Sequence, residues 1–409
     1  MQQRVGKYTV RLASNFCLPA NFSGNFITWI VGLEKKVTLP PSSHILAYAK
    51  DQNNTEFPLA AINDRKPVVF FEPQATLDLL RREQYSGSHL EQSIVMHLPF
   101  EYSDLPMWMI GLAFNIFARE ADLDNLPNFP TYPFDFSADV LFSLNAGDPL
   151  TRPLKWPHGK SYALTLTHDV DTNWVFKNKR WLDGFMSAEE RFSMRSAWYT
   201  VPFIAKNRYG IEGMEKLLKN GHEIGVHGYV HSPKLAYEPF ETLVEKFTEA
   251  REMLSNFLET PPGYRAPWLS RCDTMRRALK NAGFLYDTST PTADFLRNNK
   301  ASNNGCCTMF PFTSDGLMVL PITLPQDAMH QMLGKTPEEY WNYIFDLIQT
   351  IKSWNGMVVI STHIQPHHSG NNKMLKGYEA LLEKLSHDDE AWFVLPRNIA
   401  EYSKKNLSA

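Results

Sequence analysis

The run Tyr162-Ala163-Leu164-Thr165-Leu166-Thr167 constrains this chain most, because it flows directly into Thr167-His168-Asp169-Val170-Asp171. Six residues of this type, apolar and β-branched without a helical period, read as a buried strand. Its C-terminal end delivers two carboxylates, which are costly in a protein interior unless they have a function. Sheets and barrels of alternating strands and helices place their chemistry at that end of the strand. The chain is therefore expected to form an α/β fold with a site beyond Thr167.

A second group supports the same geometry. Glu223 to Val226 reads as a strand that follows an apolar amphipathic stretch at Met214 to Leu218, and it delivers His227 at its end. His231 lies four residues further on, in the run Gly221-His222-Glu223-Ile224-Gly225-Val226-His227-Gly228-Tyr229-Val230-His231. Two neutral imidazoles and one upstream carboxylate make a set suited to zinc or a similar divalent ion. Three protein ligands leave positions open for water and substrate, which is the catalytic arrangement. Spacing alone carries little weight, because thirteen histidines in 409 residues give a chance i,i+4 pair in roughly a third of such chains. His363 and His367 form a second such pair. The zinc-protease helix is excluded, since four residues separate His222 from His227 where three are needed, and Gly221, Gly225 and Gly228 disfavour a helix. His222 reads as a strand-entry histidine with a structural hydrogen bond.

Five blocks in this order resemble the polysaccharide deacetylase family of metal-dependent carbohydrate esterases. Thr167-His168-Asp169-Val170-Asp171 resembles its Thr-Phe-Asp-Asp-Gly block, and His227-Gly228-Tyr229-Val230-His231 its His-x-x-x-His block. Tyr264-Arg265-Ala266-Pro267-Trp268 is similar to its Arg-x-Pro-Tyr block. Gly283-Phe284-Leu285-Tyr286-Asp287-Thr288-Ser289 is similar to its Gly-Tyr-x-Tyr-Asp-Ser-Ser segment, and Val358-Val359-Ile360-Ser361-Thr362-His363 to its strand-then-histidine ending. The resemblance covers about residues 155 to 405.

Carried onto this chain, the resemblance implies Asp171, His227 and His231 as metal ligands, Asp169 as general base, His363 as general acid and Arg265 as the group that holds Asp169 ionised. It also implies the backbone N–H of Trp268 as a donor to the developing oxyanion, and one divalent metal ion, zinc first, with cobalt or nickel as alternatives. Three departures stand out. The family's second aspartate falls at Val170, so its role passes to Asp171; a one-residue shift along an ideal strand flips a side chain to the other face, so the reading requires the strand to have ended by Val170. His168 replaces an apolar residue and could itself be a ligand. Trp268 replaces tyrosine, which keeps the backbone donor and removes a hydroxyl.

The remaining chain continues the alternation. Strands are expected at Ala197 to Val201, Leu317 to Pro321, Val358 to Ser361 and Trp392 to Leu395. Helices are expected at Phe240 to Phe257, Thr274 to Ala282, Pro337 to Ile351 and Gly377 to Leu385. Pro321 to Asp327 follows a strand and either lines the cleft or, as the favoured reading, forms a simple rigid turn, with no catalytic member; Gln365 to Gly370 reads as a solvated loop whose His367 and His368 do nothing. Glu189-Glu190-Arg191 reads as a solvated charge cluster. Together these give a distorted (β/α) barrel of the polysaccharide deacetylase type over residues 155–409. A smaller α+β domain precedes it over residues 1–150, with a helix candidate at Met107 to Glu120 and a linker at Asn145 to Pro153. His97 to Glu120 faintly resembles regions that precede deacetylase domains in bacterial surface-polysaccharide proteins.

A net charge of −3 offers no basic footprint for nucleic acid. The first thirty residues lack a secretory pattern and no long apolar span occurs. The expectation is a cytoplasmic chain without a transmembrane segment, associated with membranes at most through glycan biosynthesis. Cys17, Cys272, Cys306 and Cys307 form neither a disulfide framework nor a metal motif and read as free thiols. The leading reading is a hydrolase that removes N-acetyl groups from an amino sugar in a polysaccharide or glycan precursor. The alternatives are a carbohydrate-binding protein with a decayed site and a hydrolase of another, cyclic, amide.

Overall fold

The computed structural model describes residues 5–19, 25–81, 135–293, 305–331 and 333–407. The helix candidate at Met107 to Glu120, and the stretch from His97, lie outside them.

A separate N-terminal domain is built on five antiparallel strands, β1 (Val5–Leu12), β2 (Asn25–Val31), β3 (His44–Lys50), β4 (Glu56–Asn63) and β5 (Lys66–Val69), in the order β2-β1-β3-β4-β5. Alternation in β2 puts Phe26, Thr28 and Ile30 inside and Ile27 outside, as one covered face requires. Helix Pro73–Arg81 packs on this sheet, and Thr76 Oγ1 accepts from the N–H of Val31 at 3.0 Å.

Helix Ser137–Ala146 leads toward the second domain and ends on Gly147, which adopts φ +70° to close the last turn. The expected linker beyond it is tied down. Asp148 caps the turn at Leu150 and Thr151, and Arg152 donates to Trp354 O at 2.9 Å. Asp139 on the same helix is fully buried and accepts from Thr308 Oγ1 and from the N–H of Met309; burial outweighs those bonds and pushes its carboxyl up to about 6.

The second sheet is a curled half-barrel in the order β11-β12-β10-β9-β8-β7-β6-β13. Its members are β6 (Tyr162–Val170), β7 (Ser196–Thr200), β8 (Glu223–His227), β9 (Gly263–Arg265), β10 (Tyr286–Asp287), β11 (Phe312–Ser314), β12 (Leu317–Val319) and β13 (Met357–His363). Only β11 runs antiparallel. All nine residues of β6 are buried, so it is the axis of the sheet. β13 pairs along one edge of it, while β14 (Ala391–Phe393) pairs with its first half and β7 with its second. Helices including Lys179–Glu190, Arg208–Lys219, Phe240–Met253, Pro337–Ser353 and Asn372–Ser386 cover the outside. The last of these begins five residues before the expected Gly377, because the Asn371 side chain accepts from the N–H of Met374 and caps it there.

Glu223, at the buried start of β8, accepts from Tyr286 Oη at 2.8 Å and from the N–H of Arg397 at 3.3 Å. Burial nevertheless pushes its carboxyl up to about 7. A folded-state value above the ordinary one means its contribution is complete at low pH and is lost as pH rises through about 7. Glu223→Gln is therefore expected to gain on the parent by on the order of 3 kcal/mol between pH 4.5 and 8. Urea unfolding of both proteins at the two pH values checks this; an unchanged difference would contradict it.

Candidate active site

Four parallel strands end at one place. β6 brings Asp169 and, one residue past its end, Asp171; β8 brings His227; β9 brings Arg265; β13 brings His363. The pairings His363↔Asp169 and His227↔Arg265 show that these residues stand level at the strand ends.

Asp171 Oδ1 lies 3.3 Å from His227 Nε2 and 3.2 Å from His231 Nε2, and one ligand atom from each residue falls within 4.8 Å of the others. All three are buried. Bonds of zinc length in a tetrahedron set ligand atoms about 3.3 Å apart, so these separations suit a small dication. The donor atoms are suitably disposed. His227 Nδ1–H donates to Arg265 O at 3.0 Å, which leaves the Nε2 lone pair facing Asp171. Asp171 Oδ1 and His227 Nε2 are both buried without a hydrogen-bond partner, the condition of atoms that await a cation. Burial opposes a charge on Asp171, but His231, His227 and His363 outweigh it and hold the carboxyl well below its ordinary value.

The anticipated flip at the first block does not arise. The strand does end at Val170, but period-two alternation also places Thr167, Asp169 and Asp171 on one face. Arg265 Nη1 reads that face directly, donating at 2.9 Å to each of Thr167 Oγ1, Asp169 Oδ1 and Ser361 Oγ. Its guanidinium is 0% exposed, lies 4.5 Å from the ring centre of Tyr199, and gives its Nε–H to Thr288 O. The Gly283 to Ser289 segment thus supports Arg265 from behind, and Ser289 Oγ accepts from the N–H of Ala266.

The same parity turns His168 away from the site, so it is not a ligand of this centre. Its Nδ1 pairs with Thr362 Oγ1 and its Nε2 with Glu189 Oε1, both at 2.6 Å. Glu189 is 0% exposed and also accepts from Ser196 Oγ and Tyr378 Oη, so the solvated cluster expected at Glu189-Glu190-Arg191 is incorrect for its first member. This group straps β6 to β13 on the face opposite Asp169 and Asp171. His222 has the expected structural bond, its Nδ1 accepting from the N–H of Ser196.

On the other side of the centre, His363 Nε2 lies 3.6 Å from Asp169 Oδ2, and Asp327 holds its far nitrogen, with Oδ1 2.7 Å from Nδ1 and Oδ2 accepting the His363 N–H at 2.8 Å. Burial disfavours the imidazolium, but Asp327, then Asp171 and Asp169, raise it to about 10, and His363 in turn lowers Asp327. Asp327 corrects the rigid-turn reading of Pro321 to Asp327: the turn carries a buried partner of His363. His368 corrects the solvated-loop reading, being buried with its ring centre 5.4 Å from that of His363, while the His367 ring lies 4.1 Å from that of His368, inclined to it at 60°. Burial lowers both of their proton affinities. Gln365, read in the sequence only as the start of that solvated loop, is buried and donates from Nε2 to Asp171 Oδ2 at 2.8 Å.

Trp268 stands on the loop after β9, in a left-handed conformation (φ +57°) followed by Leu269 (φ +50°), with its side chain 52% exposed. The loop is pinned, since Ser270 Oγ donates to Pro233 O and Arg271 Nη1 to Leu269 O. The four cysteines are free thiols. Among the described residues no helix is long and apolar enough to cross a membrane.

Known proteins share this arrangement of chain. A family model described as polysaccharide deacetylase matches residues 185–286. A peptidoglycan deacetylase of Helicobacter pylori (strain ATCC 700392 / 26695) is 34% identical over 86 residues, which is 20% of this chain and 29% of that protein. Two solved structures assigned as polysaccharide deacetylases share the fold. The one from Mycobacterium smegmatis has a TM-score of 0.51 at 20% identity over 62% of this chain and 94% of that one. The one from Pseudomonas aeruginosa PAO1 has 0.52 at 17% identity over 67% and 98%.

Proposed function

The chain carries a domain of the polysaccharide deacetylase family, and from that premise we propose that it hydrolyses the acetamide of an N-acetylated amino sugar in a polysaccharide or glycan precursor, with a divalent ion held by Asp171, His227 and His231. The observation that carries this reading is the meeting of three kinds of group at one set of strand ends: a cation-binding trio, a carboxylate clamped by a guanidinium, and an imidazole raised by its own carboxylate. Asp171, His227 and His231 would hold that ion, and the chemistry it would supply is Lewis acidity toward water and a carbonyl.

The chain's own groups supply the remainder. Asp169, fixed through one oxygen by Arg265, keeps the other turned toward His363 and takes the proton of the attacking water. The water oxygen bonds to the acetyl carbon while the carbon–nitrogen bond breaks. His363, protonated against Asp327, gives its Nε2 proton to the departing amine, so acetate and a free amino sugar leave. In this reading the backbone N–H of Trp268, on the loop after β9, is the donor assigned to the carbonyl oxygen as negative charge develops there. An intact base, acid and trio favour an enzyme over a decayed binding protein.

Acetate release from N-acetylglucosamine oligomers tests the proposal. Protein stripped with a chelator is expected to release none, and zinc, cobalt or nickel to restore release. Sugar binding without acetate would support the decayed site, and turnover of a cyclic amide with none of the sugars would replace the substrate class.

A further inference from the structure

We infer that Gln365 is the positioning residue that makes Asp171 a usable metal ligand, an inference that rests on the metal reading above. Asp171 is the first residue beyond β6, so the parallel ladder that fixes Asp169 no longer holds it. A carboxylate there turns about two side-chain bonds unless something else stops it. The Gln365 amide is that stop. Its Nε2 donates to Asp171 Oδ2 at 2.8 Å, both residues are buried, and Oδ1 is thereby left as the oxygen that faces His227 and His231 at 3.3 and 3.2 Å.

Gln365 is itself held firmly. Its N–H bonds to His363 O, and its own carbonyl receives the N–H groups of His368 and Gly370. Gly370 sits so close that a Cβ there would meet the Gln365 backbone at 2.7 Å. The donor is thus mounted two residues after the general-acid histidine, on a loop folded onto itself. Its chemistry is apt, because a neutral amide fixes the carboxylate without competing for its charge, as a lysine would, or repelling it, as an acid would.

The test is zinc affinity of chelator-stripped protein, measured by competition with a chromophoric chelator, together with the visible spectrum of the cobalt form. Gln365→Met is expected to weaken zinc binding by about 10- to 100-fold and to shift the cobalt bands. Gln326→Met, which removes a similar amide that reaches Ser361 Oγ and no ligand, is expected to leave affinity unchanged. Should Gln365→Met fail to fold, Gln365→Asn, whose amide stops one methylene short, is expected to show the same loss. Zinc binding by the folded variant within about twofold of the parent would overturn the inference while leaving the metal centre standing. A parent that binds no metal would overturn both.

Discussion

Asp169→Asn is expected to lower kcat/KM for acetate release by about 100- to 10,000-fold, with metal content unchanged. The amide keeps the shape and can still accept from Arg265, but it has no lone pair basic enough to take a proton from water. Because Asp169 stands outside the trio, the lost activity and the retained metal separate base from ligand. The change also leaves the buried guanidinium of Arg265 without its carboxylate, so a stability loss of about 3 kcal/mol is expected alongside. Kinetics are therefore to be read on protein shown to be folded at the assay temperature. Retained turnover in folded, metallated Asp169→Asn would remove this residue from the proton path.

Asp327→Asn is expected to strike the other half of the reaction. His363 owes its imidazolium to this partner, which touches both its ring and its backbone N–H. Without that charge, burial is opposed only by Asp171 and Asp169, and the proton affinity of His363 falls from about 10 toward its ordinary value. A general acid must be protonated to act, so the basic limb of the kcat/KM profile is expected to move down toward neutrality. The rate at pH 8 should then fall about tenfold or more, with a smaller loss at pH 6. An equal loss at every pH would mean that Asp327 only props the loop.

The sequence made some of this legible and hid the rest for identifiable reasons. Tyr162 to Thr167 announced β6 because a central parallel strand is buried on both faces and must be apolar along its length. His227 and His231 stood out because a strand over Glu223 to Val226 delivers them at the same end of the sheet as Asp169 and Asp171. Asp327 did not, since nothing local marks it: its role comes from a contact 36 residues away along the chain. Glu189 looked like surface charge because two acids at a helix end usually are; only the third dimension supplies His168, Ser196 and Tyr378 around it. The N-terminal sheet was read only as mixed α+β, because its short antiparallel strands carry between none and four buried positions each, too few to set a clear period.

The central claim is a single cation held by Asp171, His227 and His231, and metal stoichiometry tests it most directly. After equilibration with zinc and removal of the excess, the parent is expected to retain one equivalent per chain by elemental mass spectrometry, and His227→Ala and His231→Ala to retain essentially none while still folded. Folded variants that keep the full equivalent, or a parent that keeps no zinc at all, would contradict the account.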